Sequence, residues 1–112
     1  MPRTRKPASV QAQIERMVER IVKQFTPEQI ILFGSQARGG AGPDSDIDLL
    51  IVMPVEGSVR DKRLEIKRAL SDRRIPVDVL VTTPEDFVWR KEIVGTIEWP
   101  AAREGKVLYA RS

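Results

Sequence analysis

Histidine and cysteine are both missing from the 112 residues of this chain. Without cysteine there can be no disulfide, no thiol nucleophile and no cysteine-based zinc site. Without histidine the commonest general base and metal ligand is gone. Any acid–base or metal chemistry must therefore come from the 16 aspartates and glutamates. Long apolar runs are absent too. None approaches the ~20 residues that a membrane-spanning helix needs. The opening stretch, with Arg3, Arg5 and Lys6, is basic but lacks the apolar core of a secretory signal, so a cytoplasmic location is expected.

What remains is an ordinary soluble composition, 41% hydrophobic and 31% charged. A chain of this length fits one domain spanning residues 1–112, with one core and no room for a second lobe. The net charge is +3 and the pI about 9.6, which meets the crude test for a nucleic-acid binder. That charge is modest and is the only support for nucleic acid as a partner.

The apolar pattern gives the element order. Val10, Ile14, Met17, Val18, Ile21, Val22 and Phe25 recur at helical spacing, with Ser9 as N-cap and Thr26-Pro27 as the stop. Residues 30–33 and 47–53 are continuous apolar runs that suit strands covered on both faces. A charged helix follows over 59–70, with Val59, Ile66, Ala69 and Leu70 on one stripe. Its cations Arg60, Lys62, Arg63, Lys67 and Arg68 read as a solvated face, or as a surface for an acidic partner. Residues 77–81 form a third strand, Pro84 starts another helix, and 106–110 is a short last strand. Residues 92–102 stay ambiguous between helix and loop. Trp89 and Trp99 read equally as interface anchors or as a cover for the core. The expected fold is a small α/β or α+β domain with helices packed on a mixed sheet.

Three aspartates interrupt this pattern. In an extended chain Asp46 and Asp48 share a face, about 6–7 Å apart. Leu50 and Val52 carry that face into apolar surroundings. Two like charges so placed repel and lose hydration unless a cation sits between them. Asp78 is a further charge inside Val77–Val81. A third carboxylate beside the pair makes a site for one or two Mg²⁺ ions, which bind oxygen ligands and phosphates. Alone, Asp-x-Asp is more often a turn or a strand-edge charge. Asp44, Asp46 and Asp48 also match the start of a calcium-binding loop, but Leu49 and Val55 stand where glycine and glutamate are required. Gly39, followed by Gly40 and Ala41, does not complete a Walker A loop.

Gly34-Ser35 follows directly on a buried strand. Gly34 lets a ligand approach the backbone, Ser35 can cap a turn whose N–H groups bind phosphate, and Arg38 can reach the same anion. A triphosphate with Mg²⁺ needs both parts, donors for its tail and carboxylates for its metals.

The stretches LFGSQARG, DSDIDLLIV and VDVLV together resemble the nucleotidyltransferase superfamily that includes DNA polymerase β, and in particular its minimal nucleotidyltransferases. The resemblance runs from about Pro27 to Val81, and AREGKVLYA is similar to that branch's ending. It implies a polymerase β-like core and transfer of NMP, AMP by preference, from an NTP to a hydroxyl. Asp46, Asp48 and Asp78 would be the catalytic and metal-binding residues, holding two Mg²⁺ ions. Gly34 and Ser35 would hold the triphosphate of ATP. The resemblance further implies a helical HEPN-domain partner and a toxin–antitoxin role, in homo- or hetero-oligomeric form. A binding module acting by contact alone, and an antibiotic-modifying enzyme, are the competing readings.

Overall fold

The structure is a computed structural model that describes residues 10–34, 47–71 and 76–111. The described residues form four helices and four strands in the order α1 (Val10–Phe25), β1 (Gln29–Phe33), β2 (Ile47–Val52), α2 (Val59–Ala69), β3 (Val77–Thr82), α3 (Pro84–Arg90), α4 (Glu98–Glu104) and β4 (Lys106–Ala110). The sheet order is β3-β2-β1-β4. β1 lies antiparallel to both β2 and β4, while β2 and β3 run parallel. The sheet is therefore mixed and the fold α+β, in line with the sequence reading.

Local chemistry sets the boundaries. Thr26 adopts a left-handed backbone (φ 46°) just before Pro27, and α1 ends there. The Ser58 hydroxyl accepts from the Asp61 N–H at 3.2 Å and starts α2. Thr83 does the same for Asp86 at 3.1 Å, with Pro84 at the first helical position of α3. The ambiguous stretch resolves into turns followed by α4.

Strand alternation divides the core in two. Ile30 and Leu32 of β1, Ile47, Leu49 and Ile51 of β2, and Val79 and Val81 of β3 face Ile14, Met17 and Ile21 of α1 and Ile66 of α2. Ile31, Leu50 and Val52 face Phe87 of α3 and Ala101 of α4, with Phe33 and Leu80 beside them. Both interior strands are thus covered on each face, which is why their sequences are almost unbroken apolar runs. Arg20 ties α1 to α2 by donating to the Ala69 carbonyl at 2.8 Å, and Lys62 lies 5.7 Å from the centre of the Phe25 ring. On the second face the buried Glu98 accepts from Arg90 Nε at 3.0 Å, joining α4 to α3. Pairing of β4 with β1 slips between Ile30 and Ile31, the signature of a β-bulge.

Because Ile51 has no exposed surface in the middle of this sandwich, Ile51→Ala should cost about 2–5 kcal/mol in urea unfolding. Leu64, 40% exposed, is off the buried stripe, and Leu64→Ala should change stability by less than about 0.5 kcal/mol.

Candidate active site

Asp48 and Asp78 are direct partners in the parallel ladder of β2 and β3. Neighbouring strands lie about 4.8 Å apart, so the two side chains leave the sheet side by side. Both share alternation with Leu50 and Leu80, and so emerge on the α3–α4 face. Each is the second residue of its strand, one step beyond the apolar layer. Asp48 is half-buried and Asp78 partly exposed. The hydrophobic partners Ile47, Leu49 and Ile51 with Val77, Val79 and Val81 pull the opposite alternation into the α1–α2 core. The aspartates reach the other face because their neighbours are apolar.

Gly34 completes the wall. Phe33 pairs with Asp48 across β1 and β2, so the next residue passes the Asp48 carboxylate closely. A Cβ at Gly34 would collide with Asp48 Oδ2, and the backbone there is left-handed (φ +79°). Glycine is thus required for the carboxylate's own room, a stricter reason than the ligand approach read from the sequence.

Asp78 is not the unpaired charge that the strand pattern suggested. Arg63 of α2 donates from Nη2 to Asp78 Oδ1 at 3.1 Å, and from Nε to the Val79 carbonyl at 2.6 Å. Sequence reading placed Arg63 on a solvated face. The signal was nevertheless available: Val59, Arg63, Ile66 and Leu70 are spaced as one helical row, so the arginine occupies a sheet-facing position. Elsewhere on that helix Arg60, Lys67 and Arg68 are exposed, while Lys62 pairs with Glu65 at 3.0 Å. Trp89 is 52% exposed and donates to Asp86, so it does not cover the core.

The donor set fits a hard divalent cation, with two carboxylates in register on one face beside a backbone cleared of side chain. Asp46, Ser35 and Arg38 lie outside the described residues. Among the described residues no group of three metal-ligating side chains forms, so a metal centre would have to draw its third carboxylate from elsewhere. An apolar groove of about 530 Å³ lies elsewhere, between α1 and β4, the elements that contribute neither aspartate.

Gly34→Ala should lower the melting temperature more than Gly57→Ala. Gly57 is also left-handed (φ +91°), but a Cβ there meets nothing within 4 Å. In an Asp48→Ala background the difference between the two substitutions should shrink, since the collision is with that carboxylate.

Comparison with curated proteins gave no match. Among solved structures, one from Sulfolobus solfataricus assigned to the nucleotidyltransferases is 23% identical, with a TM-score of 0.61 over 98% of this chain and 94% of its own. A chain of the toxin–antitoxin pair MntA–HepT is 16% identical, TM-score 0.58, over 90% of this chain and 73% of its own. A toxin–antitoxin structure with AMP-PNP is 18% identical, TM-score 0.53, over 88% and 74%. At these identities the likeness is one of fold. The nucleotidyltransferase domain family, however, matches residues 14–101, which include Gly34, Asp48 and Asp78, and the chain belongs to that family.

Proposed function

We propose that the chain moves AMP from ATP to a hydroxyl on a partner protein, a helical HEPN-type toxin, and so acts as the antitoxin of a pair. The observation that carries this reading is the in-register pair of Asp48 and Asp78 on adjacent parallel strands. Asp46, Asp48 and Asp78 would hold two Mg²⁺ ions, and Gly34, Ser35 and Arg38 would hold the triphosphate. When bound, such ions neutralise charge on the phosphates and stabilise the leaving pyrophosphate.

The protein's own groups account for the rest. Arg63 donates to Oδ1 of Asp78, and the carboxylate so oriented would take up the proton of the incoming hydroxyl. The hydroxyl oxygen forms its bond to the α-phosphorus as the bond to the bridging oxygen of pyrophosphate breaks. Leu50 and Leu80 underlie the carboxylates and limit water on that side. The toxin–antitoxin pairs with the same fold, one of them with AMP-PNP, support an adenine nucleotide and a protein acceptor.

Incubation with α-labelled ATP, Mg²⁺ and the protein encoded beside this one should label that partner. Asp48→Asn should reduce labelling by at least about a hundredfold, because metal stabilisation of the transition state is worth several kcal/mol. Its circular dichroism should be unchanged. Labelling that persists in Asp48→Asn would overturn the reading. Unlabelled partner that is still neutralised would point to action by contact alone.

A further inference from the structure

Arg63 is an arginine in a row of apolar, sheet-facing positions, and it does not enter the core. It passes the outer edge of β3, the last strand on that side of the sheet among the described residues. The side chain of Val79 points to the α2 face and that of Asp78 to the α3–α4 face. The guanidinium spans both, with Nε on the Val79 carbonyl at 2.6 Å and Nη2 on Asp78 Oδ1 at 3.1 Å. The backbone contact fixes the plane of the guanidinium relative to the strand that carries Asp78. The carboxylate is thereby held by a group anchored one residue away.

We infer that Arg63 is a built-in counter-cation for Asp78 in the absence of metal, a positioning residue that steadies this carboxylate and, by the same charge, opposes divalent metal binding. The first half follows from the Asp48–Asp78 register. Two carboxylates on adjacent strands repel, and a cation bound to one of them offsets that repulsion. The second half follows from Coulomb's law. A dication approaching Asp78 meets a positive charge already on Oδ1. The inference rests on the reading of Asp48 and Asp78 as metal-holding groups.

The test is Mn²⁺ binding followed by electron paramagnetic resonance without nucleotide, paired with thermal melts at zero and saturating Mn²⁺. Arg63→Gln should bind Mn²⁺ roughly two- to fivefold tighter than the wild type, the range expected for a partly exposed pair. Arg63→Met keeps the apolar stem and removes the charge, and should tighten binding by a similar factor. Arg63→Lys keeps the charge and should stay within about twofold of the wild type. The metal-free melting temperature should fall in Arg63→Gln, and the gap to wild type should narrow as Mn²⁺ is added. An arginine that merely caps the strand edge would lower the melting temperature equally with and without metal. That result, or Mn²⁺ affinity no tighter in either neutral variant, would overturn the inference. Wild-type and Asp48→Asn proteins that bind Mn²⁺ alike would instead remove the metal site itself, and the inference with it.

Discussion

The parallel pairing of β2 with β3 governs the rest of the molecule. A slip of one residue would set Asp48 beside a valine and turn one of the aspartates into the α1–α2 core. The register is fixed by alternating apolar residues on both strands, from Ile47 to Ile51 and from Val77 to Val81. Parallel neighbours also demand a crossover, and here the crossover contains α2. The helix that closes the topology is thus the helix that brings Arg63 to Asp78. One pairing decides where the charges sit and what answers them.

The cost of that arrangement is moderate. Two unit charges 4 Å apart interact by about 1 kcal/mol in water and about 4 kcal/mol near a protein surface. The aspartates lie at the rim of the sheet, where solvent and Arg63 both relieve the repulsion. On the function proposed above, like charges held together at a rim are a site kept ready for cations, and such sites are where proteins forgo stability for activity. Gly34 belongs to the same trade, since it gives up backbone restraint to clear space for Asp48.

Much of this was legible in the sequence, for identifiable reasons. Strands with both faces covered leave an unbroken apolar signal, so 30–33 and 47–53 could be placed, and an aspartate inside such a run stood out. Thr26-Pro27 and Thr83-Pro84 are local signals that act within one turn, so those helix ends followed. What escaped was non-local. The partner of Asp78 lies 15 residues earlier on another element. The spacing of Val59, Arg63, Ile66 and Leu70 carries the signal, but the arginine's charge led it to be read as solvated. The stretch 92–102 was unreadable because α4 is short and is held by little more than Ala101 and an ion pair between buried Glu98 and the partly exposed Arg90, with no long apolar stripe.

The two outermost strands have a consequence for how this protein behaves at high concentration. Exposed ladder groups invite another chain to add itself and start a fibre. On one flank the Val79 carbonyl is already taken by a guanidinium, which also plants a positive charge there. On the other, the pairing slips opposite Ile30 and Ile31, and a bulge of that kind makes an edge a poorer template for a newcomer. The sheet is thereby discouraged from growing past its own four members. The arginine that answers a carboxylate also covers one of the open ladder groups on that edge.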